Sequence, residues 1–153
     1  LNDPELLKKY RCPYSLALLR RSVENGYQTG LGTMSHCPQA NRVLEILNLQ
    51  QQFDFIATRD DVEYPKPDPE IYFLVARELR VSPDECLVIE DSLSGIKAAL
   101  AANMACIAVT TDFTHKAVDE SGLIEDRWIV PDPRKLLETV EQFFLEKGKN
   151  SGK

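Results

Sequence analysis

A doubly wound α/β fold built on a mostly parallel sheet is the architecture this sequence predicts, and three observations predict it. Short apolar runs alternate with amphipathic helical segments from one end of the chain to the other. One run, Cys86-Leu87-Val88-Ile89, is continuously apolar, as in a strand covered on both faces. The length of 153 residues and a hydrophobic fraction of 43% suit a single domain that needs no disulfide to hold its core.

The elements follow in order. Leu16, Leu19 and Val23 lie at helical spacing, and Asn25-Gly26 supplies a left-handed stop. Residues 27–33 then read as a short strand carrying two glycines. Pro38 opens a second helix, with Val43, Leu44 and Leu47 as its apolar stripe. Residues 53–57 read as another short strand. Lys66-Pro67-Asp68-Pro69 is a rigid turn in which Asp68 can cap the helix that Pro69 starts, with Ile71, Leu74, Val75 and Leu79 facing inward. The strand at 86–89 is followed by a helix over 94–102, a strand at 106–109 and a last strand at 128–130. Asp132-Pro133 caps a final helix through Phe144. Residues 1–12 have helical content and no place in the sheet, 13–146 form the α/β core, and 147–153 make a polar, frayed tail.

Composition removes several functional classes. A net charge of −6 argues against a nucleic-acid partner, whose phosphates require a basic face. The longest apolar runs are far shorter than the roughly 20 residues of a membrane span, and no signal-peptide pattern occurs. Cysteines stand at 12, 37, 86 and 106, with no CxxC pair and no zinc-like spacing. Cys86 and Cys106 lie in apolar runs and read as buried thiols, which fits a reducing, cytoplasmic setting. No Gly-rich phosphate loop is found.

Three places could carry chemistry. Glu90-Asp91-Ser92 directly follows the 86–89 strand, and open parallel sheets bind ligands beyond the carboxyl ends of their strands. Two adjacent carboxylates there could hold a hard cation such as Mg²⁺, although Asp91 or Ser92 could equally be a simple helix cap. Lys66 precedes Pro67 in a constrained turn that would aim its ammonium at a phosphoryl oxygen, or leave it as a solvated lysine beside a cap. Thr33 ends a strand with Ser35 and His36 close behind, where hydroxyls and free backbone amides can hold phosphate oxygens, or form an ordinary polar loop. His36, His115 and Asn41 receive no catalytic or metal role.

Taken together, Thr33, Lys66-Pro67-Asp68-Pro69 and Glu90-Asp91-Ser92-Leu93-Ser94-Gly95-Ile96 resemble the second, third and fourth motifs of the haloacid dehalogenase-like superfamily, in its β-phosphoglucomutase and phosphoglycolate phosphatase branch. Asn103 stands where these proteins usually have glycine, and Asn is the next-best residue for a left-handed turn. The resemblance implies a Rossmann-like core and a Mg²⁺-dependent phosphatase or phosphomutase. Its substrate would be a small phosphorylated metabolite, transferred through an aspartyl-phosphate. It implies that Thr33 and Ser35 bind the substrate phosphoryl group, that Lys66 stabilises its charge and the nucleophile, and that Glu90 and Asp91 anchor the metal, Asp91 more directly.

The same resemblance exposes a departure. The family's first motif, an apolar strand ending in Asp-x-Asp-x-Thr, supplies the nucleophile, and no Asp-x-Asp spacing occurs anywhere in the sequence. The chain begins at Leu1 rather than Met, and the expectation is a core lacking the first-motif strand and most of the cap, with 1–12 as the cap's last helix and linker. This chain alone is then expected to be inactive. The first-motif strand would lie between the strand ending at Thr33 and the strand ending at Glu90. That slot is expected to stay open for a missing N-terminal segment or a strand from a neighbouring molecule, rather than collapse into direct pairing. Lys66, in a turn its prolines already constrain, is expected to contribute little to stability. The alternative function is a non-catalytic binding or interaction module that kept the fold.

Overall fold

The computed structural model describes residues 3–10 and 12–150. Five strands, β1 (Gly30–Gly32), β2 (Phe55–Ala57), β3 (Leu87–Glu90), β4 (Ala105–Val109) and β5 (Ile129–Val130), alternate with seven helices among those residues. The helices are α1 (Pro4–Tyr10), α2 (Pro13–Glu24), α3 (Cys37–Leu47), α4 (Glu70–Leu79), α5 (Leu93–Ala101), α6 (His115–Ser121) and α7 (Leu136–Asn150). Every strand pair is parallel. The helices that connect them are the crossovers parallel pairing requires.

The sheet is in two pieces. β1 pairs with β2, and β3, β4 and β5 form a separate ladder in that order. No ladder joins β1 to β3, so direct pairing of these strands is not the arrangement adopted. The split explains a difference from the sequence reading. β4 is central, and Cys106, Ile107 and Ala108 are buried on its two faces. β3 has a ladder partner on one side only, and Leu87, Val88 and Ile89 are half-buried rather than fully covered. Cys86, at its start, is likewise half-buried, whereas Cys106 is buried as expected.

Packing follows the alternation of side chains along β4. Cys106 and Ala108 point into one cluster with Ile71 and Ala76 of α4, Ile96 and Ala99 of α5, and Val118 of α6. Ile107 points the other way, to Trp128, Leu136 and Val140, with Leu18 of α2 and Phe143 of α7 against them. Helices therefore cover both faces, as the doubly wound reading requires. Trp128 is the buried residue of a 3₁₀ turn before β5 rather than part of the strand, and meets Phe143 edge-on at 5.4 Å.

Backbone punctuation falls where the residues dictate. Gly26 ends the turn after α2 at φ 78°, and Asn103 takes the left-handed conformation at φ 58° before β4. Asp68 Oδ1 accepts from the amide of Glu70 at 2.9 Å, and Asp132 accepts from the amide of Arg134 at 3.1 Å. Helix α6 had no sequence signal beyond Val118, because a seven-residue helix with one buried position carries no periodicity to read. α7 runs on to Asn150, past the predicted end at Phe144; residues 151–153 of the expected tail lie outside the described residues. α1 packs against α3.

Candidate functional site

Lys66 lies in the loop between β2 and α4, after the strand and before the helix cap, and its peptide bond to Pro67 is cis. Its amide donates to Met34 Sδ at 3.4 Å, which fixes the start of the side chain beside the β1 loop. The side chain is only 8% exposed, so it is not the solvated lysine of a surface turn. Its Nζ donates to the Gly32 carbonyl at 3.1 Å, to Tyr72 Oη at 2.9 Å, and to Glu90 Oε1. An ammonium has three N–H groups, and all three are engaged. Gly32 ends β1 and Glu90 ends β3, so one lysine bridges the carboxyl ends of the two separate ladders.

Glu90 is 8% exposed and fully occupied. Oε1 accepts from Lys66 and from Tyr72 Oη at 2.5 Å. Oε2 accepts from the amides of Asp91 at 3.1 Å and Ser92 at 3.3 Å, and from Ser92 Oγ at 3.1 Å. Burial alone would push the Glu90 carboxyl up, but the Lys66 charge and these hydrogen bonds outweigh it and hold the group below the usual carboxylate range. Burial, and then the Glu90 charge, pushes the Tyr72 phenol far up, so it stays a neutral donor. The same two causes push the Cys106 thiol up to about 12. Space for the carboxylate comes from Gly95 on the first turn of α5, where any β-carbon would overlap it.

Thr33 and Asp91 are the next residues along the chain from Gly32 and Glu90. The Thr33 amide extends the β1–β2 ladder by donating to Ala57 O at 2.9 Å, and its Oγ1 accepts from the Ser35 amide at 3.1 Å. The amides expected to be free at this strand end are thus already used at Thr33 and Ser35. At those two residues this leaves the donor of the Thr33 hydroxyl and the exposed side chain of Ser35. Asp91 is exposed, and its carboxylate has no partner among the described residues. It is not the cap of α5; that role falls to Ser92, whose Oγ accepts from the Gly95 amide at 3.1 Å.

Glu90 and Asp91, the pair expected to anchor Mg²⁺, are not equivalent in the structure. No group of three or more His, Cys, Asp or Glu side chains suited to a metal occurs among the described residues. Both Glu90 oxygens are committed to protein donors, which leaves the Asp91 carboxylate as the free ligand of the predicted pair.

Two features escaped the sequence reading. Tyr72 was counted with neither the apolar stripe of α4 nor the polar site, yet its ring is buried and its hydroxyl joins Lys66 to Glu90. Its signal was a phenol one position after Ile71, on the helix that the Lys66 turn begins. The second is a contact between His36 Nδ1 and Asp60 Oδ1 at 2.5 Å, with Asp60 also accepting from the Cys37 amide at 2.7 Å. These bonds, the amide first, hold the Asp60 carboxyl below its usual range.

The site is thus a buried lysine–carboxylate pair at the strand ends of a parallel α/β core. Residues 10–109 match the family model described as Haloacid dehalogenase-like hydrolase. The chain belongs to that family. It is 41% identical to YhcW of Bacillus subtilis over 98 residues, which is 64% of this chain and 44% of that protein. It is 36% identical to hexitol phosphatase B of Escherichia coli over 86 residues, 56% of this chain and 39% of the other. Among solved structures it is similar to a β-phosphoglucomutase from Clostridium difficile, with a TM-score of 0.70 at 26% identity, covering 93% of this chain and 63% of that one. The chain spans about half the length of the curated relatives it matches. Among the described residues no helix is long and apolar enough to cross a membrane.

Proposed function

We propose that this chain forms the larger part of a phosphatase or phosphomutase core acting on a small phosphorylated metabolite, with a phosphorylated sugar as the favoured class. The observation that carries the reading is the bridge made by Lys66 between the ends of β1 and β3, at the edge where parallel sheets bind ligands. A fixed, buried ammonium there is suited to neutralise charge on a transferring phosphoryl group. The Thr33 hydroxyl, with its proton free, would donate to a phosphoryl oxygen, and Ser35 stands within the same loop. The name of hexitol phosphatase B supports the substrate class.

In this reading the nucleophile is not carried by these residues, since the sequence has no Asp-x-Asp spacing. It would come from a strand placed between β1 and β3, contributed by a segment outside this chain or by a neighbouring molecule. Mg²⁺, which would neutralise phosphoryl charge, would be held by the Asp91 carboxylate together with ligands from that strand. The four free cysteines fit a reducing, cytoplasmic compartment, and the acidic charge fits a metabolite rather than a nucleic acid.

The alternative, a non-catalytic module, is favoured by one observation: every N–H of Lys66 and both oxygens of Glu90 already have protein partners. Phosphate release from a panel of hexose and hexitol phosphates separates the two. The measurement uses a protein that includes the segment preceding Leu1, with Mg²⁺, beside this chain alone. Turnover by the longer protein that Asp91→Asn abolishes, with none from this chain, is the expected result. No turnover by either protein on any substrate overturns the enzymatic reading.

A further inference from the structure

We infer that Tyr72 is a positioning residue that holds Lys66 at the head of the gap between β1 and β3. The inference rests on the reading of Lys66 as the phosphoryl-binding cation. The hydrogen-bond directions are forced by chemistry. Lys66 can only donate and an ionised Glu90 can only accept, so the Tyr72 hydroxyl must give its single proton to Glu90 Oε1 and accept from Lys66 Nζ. Of the three acceptors around Nζ, the Gly32 carbonyl and the Glu90 carboxylate belong to strands in different ladders, which no backbone bond ties together. Tyr72 belongs to neither ladder.

Tyr72 is built to be rigid. It sits in the first turn of α4, its amide donates to Pro69 O at 2.9 Å, and α4 packs on both β1 and β2. Its ring lies so close to Gly32 that a β-carbon there would stand 3.6 Å from it, and Nζ is 4.6 Å from the ring centroid. A long, flexible side chain is thus held by a buried phenol whose backbone is fixed in a helix. A phosphoryl oxygen reaching Lys66 would replace one of the two neutral acceptors, Gly32 O or Tyr72 Oη, because the charge-assisted bond to Glu90 is the strongest of the three.

The test follows the Lys66 ammonium protons directly, in this chain labelled with ¹⁵N-lysine, their signal identified by its loss in Lys66→Arg. Tyr72→Phe keeps the ring and removes one acceptor, so exchange of the Lys66 ammonium protons with water should quicken by about tenfold while the backbone amide spectrum stays folded. Unchanged exchange in a folded variant overturns the inference. Should Tyr72→Phe not fold, the wild-type chain decides: a slowly exchanging Tyr72 hydroxyl proton with a cross-peak to the Lys66 ε-methylene supports it, and its absence overturns it. In the longer protein, Tyr72→Phe should lower kcat by about tenfold with KM nearly unchanged. Wild-type turnover with an unaffected variant would overturn positioning while leaving the phosphatase reading intact. Absent wild-type turnover would overturn the phosphatase reading, and the exchange measurement would still decide the placement.

Discussion

The Glu90 carboxylate occupies the space that a side chain on Gly95 would need, although the two residues lie on different elements, β3 and α5. Gly95→Ala is therefore expected to destabilise the fold. In an exposed helix the same change gains up to about 1 kcal/mol, so the sign is reversed here. The overlapped atoms cannot withdraw freely, because both carboxylate oxygens are bonded. The expected loss is about 2 to 3 kcal/mol, the cost of overpacking a filled site. Denaturant unfolding measures it, and a gain in stability would show that Glu90 can leave its pocket cheaply.

Lys66 matters to the fold more than its turn suggests. The sequence expectation treated its charge as dispensable for stability, and the structure corrects that: Lys66 and Glu90 are each 8% exposed and paired. Removing one partner of a buried pair strands the other charge. Lys66→Met is expected to lose about 3 kcal/mol. The double variant Lys66→Met with Glu90→Gln should recover part of that loss, because no charge is left buried. Equal stability of Lys66→Met and wild type would return Lys66 to the status of a surface residue.

Acid should weaken this chain partly through Glu90. A carboxyl whose folded pKa is depressed stabilises the fold above its ordinary value, and that contribution disappears as pH falls through the folded value. Because Glu90 is held below the usual carboxylate range, its contribution should be whole at pH 7 and decline only below about 4.5. Other lowered carboxyls, among them Asp60, Glu70 and Asp132, act in the same direction but lie at the surface. The informative quantity is therefore the difference between wild type and Glu90→Gln. Stability against pH should be flatter in the variant over this acidic range, and parallel curves would mean that Glu90 titrates alike in folded and unfolded chains.

Asn103 holds a left-handed turn, φ 58°, between α5 and β4. Asn103→Val, β-branched and unsuited to that region, is expected to lose about 1 to 2 kcal/mol. Asn103→Gly should stay within about 0.5 kcal/mol of wild type, since easier backbone geometry is offset by a more disordered unfolded chain. Thermal melts of the two variants check the ordering.

Much of this was legible in the residues because it depends on local chemistry. The strand-then-turn signals at 33, 66 and 90 fall on residues that the structure brings to the carboxyl ends of β1 and β3, and the glycine-like role of Asn103 was readable from its preference for left-handed backbone. Tyr72 was not legible, because its importance comes from a meeting of α4 with the ends of two ladders, which no local pattern encodes. The half-buried state of β3 was missed for a related reason: a continuous apolar run tells of contact on two faces but not of an edge left without a ladder partner. The engagement of Glu90 by Lys66 and Tyr72 was likewise hidden in an acidic pair that read as two metal ligands, Asp91 the more direct.

The division of the sheet also bears on how this chain behaves in a crowded solution. Within the described residues β1 and β3 each present one side with no ladder partner, and neither strand contains a proline or an inward-pointing lysine of its own to discourage a foreign strand. Such edges are templates for pairing between molecules, and they become more hazardous as concentration rises. If those edges accept a strand, the yield of this chain on expression should improve when a matching strand is produced alongside it.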